Sequence, residues 1–268
     1  MSDPIRVAVS GATGRMGKAV LTEVAADERF ALAAALEAPG HPALGEDAGR
    51  GPGLGELGVP ITDDLAAARA DVLIEFTLPE PSLAHLQTAA GQGLSAVVGT
   101  TGFSAEARAR IDALAGKVPI VLAPNMSVGV NLLFHLAGEA VARLGPGYDL
   151  EVFEMHHGRK VDAPSGTAAR LAEVAAEARG LGESCFRHGR KGAVGARPTE
   201  EIGIHAARLG DVIGEHTLFL AGAGERLELT HRCTSRANFA RGALRAAAWL
   251  QDQQPGRVYD MQDVLDLR

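Results

Sequence analysis

Aromatic side chains are scarce. One tryptophan, two tyrosines and eight phenylalanines serve 268 residues, while glycine alone numbers 33. Such a chain is expected to pack helices on sheet through small residues and to turn tightly and often. Basic charge is also lacking. The formal net charge is −7, and no basic stripe compensates, which argues against nucleic acid as a partner. A local basic site for an anionic small molecule stays open. Only Cys185 and Cys233 carry thiols, with no CxxC spacing; they are expected to stay free in a reducing cytoplasm. The opening "MSDPIRVAVSGATG" has no charged segment followed by an apolar one. No apolar run reaches the roughly 18 residues of a membrane span. A cytoplasmic protein with no membrane partner is the expectation.

What is present is alternation. "IRVAVS" (5–10), "FALAAALE" (30–37), "ADVLIEFT" (70–77), "SAVVGTTG" (95–102) and "VPIVLAPN" (118–125) read as buried strands. Helical patterns follow the first, third and fourth. Such alternation implies βαβ units and a parallel sheet. Half of residues 39–58 are glycine or proline, a surface loop or the rim of a ligand site. After residue 125 the texture changes. "YDLEVFEMHH" reads as a strand and "PSGTAARLAEVAAEARG" as a helix. "EIGIHAAR", "VIGEHTLFLAG" and "ERLELTHRCT" are strands joined by turns short enough to make them largely antiparallel. Residues 179–200 read as a solvated basic loop. The fold class is therefore α/β: an N-terminal Rossmann-type parallel-sheet domain with a second α+β domain on a mixed, largely antiparallel sheet. The expected boundaries are residues 1–126 plus 237–268 for a dinucleotide-binding domain and 127–236 for a substrate-binding and oligomerisation domain.

Gly11, Gly14 and Gly17 space a G-x-x-G-x-x-G turn between the first strand and a helix. The first glycine permits the turn, the second admits a pyrophosphate and the third lets helix pack on strand. Amides at the helix start then meet the phosphates. Glu37, at the end of the next strand, is placed to bond the adenosine ribose. A carboxylate there repels a 2′-phosphate, and Ala38 follows it, so the cofactor is NADH or NADPH with a lean to NADH; Arg15 partly offsets that repulsion. "GTTG" (99–102) and "APNMSVGVN" (123–131) close the fourth and fifth strands, where parallel sheets bind ligands.

The densest chemistry is "EMHHGRKVDAPSGTA" (154–168). His156 and Lys160 are four residues apart across a glycine-containing turn and can converge. Ser165 or Thr167 can cap the helix that follows, leaving the amides of Gly166 and Thr167 as donors. A proton donor and an anion site in one place suit an anionic substrate that must be protonated. Histidine titrates near working pH, whereas lysine is better suited to fixing a carboxylate. Adjacent histidines with no third ligand at the usual spacing make poor evidence for zinc, and no metal is expected.

The fifteen-residue segment resembles the E-x-H-H-x-x-K-x-D-A-P-S-G-T-A signature of the dihydrodipicolinate reductase family. "GATGRMG", "EFTLPE", "VVGTTGF", "NMSVGVN", "GDVIGEHT", "GERLELTHR" and "MQDVLDL" are similar to family segments too. The resemblance implies reduction of 4-hydroxy-tetrahydrodipicolinate, through its dehydrated cyclic imine, in diaminopimelate and lysine synthesis. It implies a small cyclic dicarboxylate substrate and a homotetramer. By the same resemblance Gly11, Ala12, Thr13, Gly14, Arg15 and Met16 cradle the cofactor and Glu37 holds its ribose. Gly99, Thr100, Thr101, Ala123, Pro124, Asn125 and Met126 sit near the nicotinamide. His156 is the proton donor with Lys160 its companion; His157, Gly166 and Thr167 hold substrate carboxylates. Many family members place Arg after the ribose acid, where this chain has Ala38. The rival readings are another two-domain amino-acid-pathway dehydrogenase and a non-catalytic NAD(H)-sensing module.

Overall fold

The computed structural model describes residues 3–268. The chain forms two compact units. The first ends at Val128 and resumes at Arg236–Arg268; the second is Gly129–Ser235.

The first unit is built on a seven-stranded sheet. Its strands are β1 (Ile5–Ser10), β2 (Phe30–Leu36), β3 (Ile61–Thr62), β4 (Val72–Glu75), β5 (Ser95–Val98), β6 (Ile120–Leu122) and β12 (Val258–Tyr259). Their spatial order is 12-6-5-4-1-2-3, and every neighbouring pair is parallel. Val7, Ala8 and Val9 are fully buried because helices cover both faces. On one face lie α1 (Arg15–Ala26), α6 (Ala237–Leu250) and α7 (Met261–Val264); on the other lie α2 (Pro79–Gln92) and α3 (Ala105–Ala115). Small residues set the spacing: Ala240, Ala243, Ala246 and Ala247 of α6 are all at 0% exposure. The strand order reverses between β1 and β4. Ligands bind beyond the carboxyl ends of strands at such a reversal.

Three strands are shorter than their sequence patterns. β4, β5 and β6 end at Glu75, Val98 and Leu122, because the polar and glycine residues beyond them leave the sheet and bond to one another. β3 and β12 have two residues each, too few to show a period. The Gly/Pro-rich stretch 39–58 is an ordered loop. The Asp47 carboxylate accepts amide hydrogens from Gly49 (2.8 Å), Leu57 (2.9 Å) and Gly58 (2.7 Å).

The second unit contains nearly all of α4 (Val128–Leu144), then β7 (Asp149–His156), α5 (Gly166–Arg179), β8 (Phe186–His188), β9 (Ile202–Arg208), β10 (Gly214–Gly222) and β11 (Glu225–Cys233). The sheet order is 11-10-7-9-8. β10 is antiparallel to β11 and β7, whereas β9 is parallel to β7 and β8. The sheet is thus mixed, but β9 and β10 do not pair across their short turn. The α5 crossover lays β9 parallel beside β7 and β8 takes the other edge of β9, so β10 pairs with the free side of β7 instead. Alternate residues of β7 face inward: Leu150, Val152, Glu154 and His156 are buried. The first two join Leu218, Leu220, Ile202 and Ile204 against the alanine face of α5 and against Leu133, Ala137 and Val141 of α4.

The outward side of β7 corrects the reading of 179–200 as a solvated basic loop. Arg190 Nη2 donates to Glu151 at 2.7 Å, and Arg197 donates to Asp149 at 2.8 Å and Glu151 at 3.1 Å. His205 Nε2 lies 2.7 Å from Glu151. This stretch also contains β8. The arginines fasten the segment because Glu151 is presented on the central strand. Burial pushes the Glu151 carboxyl up, but Arg190, His205 and Arg197 together hold it at about 2.

A carboxylate with a depressed native pKa stabilises the fold above its unfolded value, about 4.3. That stabilisation is lost as pH falls through about 2. Glu151→Gln is expected to lower stability at pH 7 by about 2 kcal/mol, the scale of hydrogen bonds to a charged group. In urea titrations the gap from wild type should close between those two pH values; a gap constant with pH would contradict this role.

Candidate active site

The turn after β1 is shaped by close backbone approach. Gly11 has φ +72°, and a Cβ there would lie 2.8 Å from the Phe76 carbonyl oxygen. A Cβ on Gly17 would lie 2.0 Å from the Gly11 oxygen, so α1 presses directly on the turn. Gly14 is the N-cap of α1 and provides no side-chain cap. The first-turn amides therefore point outward with the helix dipole behind them. Ala12 is buried, with its amide on Leu36 O; Gly14 and Arg15 are exposed, and Met16 packs partly on the core. Glu37 follows β2 directly. Its Oε1 accepts from the Thr13 amide (2.8 Å) and hydroxyl (2.7 Å). Burial raises the Glu37 pKa, but the Thr13 donors outweigh it, so the carboxyl sits below its usual range and is ionised at neutral pH. Among the described residues Oε2 receives only a long contact from the Ala38 amide, 3.4 Å.

Residues beyond β4, missed by the sequence reasoning, complete this end of the sheet. A Cβ on Gly99 would lie 2.0 Å from Phe76 Cε1; Gly99 makes room for that ring. The buried Thr100 hydroxyl accepts the Thr77 amide at 3.0 Å, and Thr101 is exposed. Fully buried Glu75 meets His85 Nδ1 at 2.9 Å and accepts from the Thr77 hydroxyl; His85 Nδ1 is also 3.1 Å from Ser10 Oγ. An acid closing the apolar run "VLI" was the available signal. Of the next segment, Ala123 and Met126 are core residues and Pro124 is exposed. Asn125 Oδ1 accepts the Ser127 amide at 2.8 Å. An uncapped helix start, a glycine turn with no room for side chains and an ionised acid at its edge fit a dinucleotide.

The second unit assembles its own group. β7 runs through His156, whose imidazole faces inward beside Glu154. His156 Nδ1 lies 2.6 Å from Glu154 Oε2. Glu154 is fully buried and also receives Arg208 Nη1 (2.8 Å), Arg208 Nη2 (2.9 Å) and the Ser165 amide (3.1 Å). Ser165 Oγ accepts the Ala168 amide (3.1 Å), capping α5, and lies 3.0 Å from His216 Nε2. The His216 ring stands edge-on to His156, centroids 5.2 Å apart. Ser165 is thus the cap, while Gly166 and Thr167 form the first turn of α5. Lys160 does not bond His156; its ammonium donates to both Asp162 oxygens at 2.8 Å. The His157 amide donates to Val212 O, and its Nδ1 is buried without a hydrogen-bond partner among the described residues.

Burial pushes the Glu154 carboxyl up, yet Arg208 and His156 bring it below its usual range, so it is ionised. Burial lowers the His156 pKa; Glu154 raises it; Lys160 and Arg208 add to the lowering, and the net is below the ordinary histidine value. Burial first, then the charge of His156, takes His216 down to about 3, so it is neutral at working pH.

Family models for dihydrodipicolinate reductase match nearly the whole chain: the N-terminal model at residues 5–126 and the C-terminal model at 129–265. The chain belongs to the dihydrodipicolinate reductase family. Curated relatives named 4-hydroxy-tetrahydrodipicolinate reductase include that of Anaeromyxobacter dehalogenans, 53% identical over 266 residues and 98% of each chain. That of Thiobacillus denitrificans is 52% identical over 267 residues, covering 98% of this chain and 99% of the relative. The dipicolinate-bound dihydrodipicolinate reductase of Paenisporosarcina sp. TG-14 superposes with a TM-score of 0.78 at 30% identity, covering 97% and 99% of the two chains. In this dihydrodipicolinate reductase family member the N-terminal model spans most of the parallel-sheet unit, and the C-terminal model spans the mixed-sheet unit together with the segment that returns to the parallel sheet. Among the described residues no helix is long and apolar enough to cross a membrane, and no cluster of three or more ligating side chains suits a metal.

Gly17→Ala is expected to push α1 off the glycine turn. Overpacking of this kind costs about 1–3 kcal/mol, and dinucleotide affinity should fall with it. Thermal denaturation and a binding titration with NADH check both; a variant as stable and as tightly binding as wild type would contradict the close approach.

Proposed function

We propose that this family member is a nicotinamide-dependent reductase. It converts 4-hydroxy-tetrahydrodipicolinate, through its dehydrated cyclic imine, to tetrahydrodipicolinate in diaminopimelate and lysine synthesis. The observation that carries the reading is the His156–Glu154 pair beside the Ser165-capped start of α5, in a chain about half identical to curated reductases. The parallel-sheet unit is the dinucleotide-binding domain; the mixed-sheet unit binds substrate and forms the oligomer contacts.

When bound, the nicotinamide supplies a hydride to the imine-conjugated ring. Gly11, Ala12, Thr13, Gly14, Arg15 and Met16 would cradle the cofactor, and Glu37 would hold its adenosine ribose. Gly99, Thr100, Thr101, Pro124 and Asn125 would line the nicotinamide half, with Ala123 and Met126 packed in the core of that segment. The substrate carboxylates are held by His157, Lys160 and the amides of Gly166 and Thr167. The buried Nδ1 of His157, which has no hydrogen-bond partner among the described residues, supports this, since such an atom is costly without a ligand. The electron pair displaced onto the ring nitrogen takes a proton from His156, and Lys160 contributes positive charge nearby. The ligand in the Paenisporosarcina structure, dipicolinate, is a planar cyclic dicarboxylate, the shape this donor set suits.

The ionised Glu37 carboxylate, followed by Ala38, favours NADH over NADPH by repelling a 2′-phosphate. Assembly as a homotetramer in the cytoplasm belongs to the same reading. Its support is the outward sheet face of the second unit, where Phe153 is 36% exposed, and the two free thiols. A dehydrogenase that acylates a cysteine is disfavoured. Burial raises the Cys185 thiol pKa, and Cys233 is buried.

The test is absorbance loss at 340 nm with the product of the upstream synthase as substrate. His156→Gln should lower kcat by roughly 10²–10⁴, the contribution of a positioned acid, and Lys160→Ala should act mainly on KM. Wild-type kcat/KM should decline as pH rises through a value below that of an ordinary histidine, since the protonated donor is consumed by titration. Near-normal turnover in both variants would refute the assignment. A KM for NADPH equal to or below that for NADH would refute the cofactor preference, and Glu37→Gln should narrow the difference between the two.

A further inference from the structure

The carboxylate of Glu154 does more than meet His156. It accepts four hydrogen bonds in full burial: two from Arg208, one from His156 and one from the Ser165 amide. Each donor leads to a different part of the site. Ser165 carries the cap of α5 and so sets the mouth formed by Gly166 and Thr167. Arg208 Nη2 also donates to the Asp162 carbonyl at 2.6 Å, and the Asp162 side chain holds Lys160. One ion pair thereby fixes the imidazole, the helix start and the lysine loop. On the far side, a Cβ on Gly214 would lie 2.9 Å from His156 Nε2, so the glycine leaves the room that the ring occupies.

We propose that the Glu154–Arg208 pair is the positioning element of this site. It fixes neutral His156 with its hydrogen on Nδ1, reserves Nε2 for the exchanged proton and supplies the counter-charge that lets the buried imidazole become an imidazolium. The inference deepens the reading of His156 as proton donor and rests on it. The arrangement follows from chemistry: an ionised carboxylate can only accept, so the nitrogen facing it must donate. Nε2 is then the nitrogen that gains and loses the proton. Burial pushes the Glu154 carboxyl up, and the Arg208 hydrogen bonds are the foremost effect that brings it down. The charged and titratable groups facing His156 are Glu154 on its own strand, Arg208 on β9, Lys160 with Asp162 in the following loop, and His216 on β10. Of these, Glu154 is the one that raises the imidazole pKa by both hydrogen bond and charge; Lys160 and Arg208 lower it. His216 is neutral and adds shape, held by Ser165.

The test uses full-length protein with ring-15N-labelled histidine, His156 being assigned by loss of its signals in His156→Gln. Wild type should show neutral His156 protonated on Nδ1. Glu154→Gln should lower the His156 pKa by about one pH unit or more, the scale of an opposite charge removed at contact. It should move the falling limb of kcat/KM to more acid pH by the same amount and reduce kcat by roughly 10²-fold. Glu154→Asp, which keeps the charge, should return the limb towards its wild-type position even where kcat stays low. A scaffold role alone would lower kcat in both variants without moving the limb, and that result overturns the proposal. If Glu154→Gln does not fold, the wild-type spectrum still decides: neutral His156 carrying its hydrogen on Nε2 overturns it. The imidazole titration needs no turnover. A chain with this coupling but no reductase activity would therefore sink the proposed function and leave the positioning role standing.

Discussion

A fully buried, ionised carboxylate on the central strand of the second unit is the constraint around which its chemistry is arranged. Burying an isolated charge costs far more than a single contact returns, so it must be paired and hydrogen-bonded. Glu154 is satisfied by a guanidinium, an imidazole and a backbone amide, and each of those partners is held in place in return. The need to satisfy one side chain thus orders β7, β9, the start of α5 and the loop between β7 and α5. A charge that is expensive to bury becomes a source of geometric precision.

The first unit achieves precision by another route. Its turn is defined by what has been removed: Gly11, Gly17 and Gly99 have no Cβ because a carbonyl or an aromatic ring occupies that space. Small alanines on α6 let that helix lie close to the sheet. The scarcity of aromatics follows from the same economy of space. Phe76 is an exception placed at the strand reversal, where Gly99 makes room for it.

Legibility in the sequence tracked locality. The glycine turn, the acid beyond β2, the alternation of apolar strands with helices and the helix capped within "DAPSGT" are written in neighbouring residues. Each follows from steric rules or from capping chemistry that acts over a few positions. The 154–168 segment also supplied the resemblance that the family models bear out. The pairing of β9 with β7 was not legible, since the turn between β9 and β10 is short enough for a hairpin and only the sheet order, with β7 and β8 on the two edges of β9, rules one out. Nor was the role of Arg190 and Arg197, which look like loop charges until Glu151 is set opposite them.

The same division holds inside the site. Sequence by itself determined which reactive groups are present, the glycine positions that the backbone must have, and the family to which they belong, because these depend on residue identity and short spacing. Tertiary structure alone decided that Glu154 and Arg208 meet across 54 positions, that Lys160 turns to Asp162 rather than to His156, and that His216 stands against the His156 ring. Those choices come from strand register and burial. A charge enclosed by a sheet and a helix takes the partner that the neighbouring strand brings opposite it, and no local pattern in the chain encodes that neighbour.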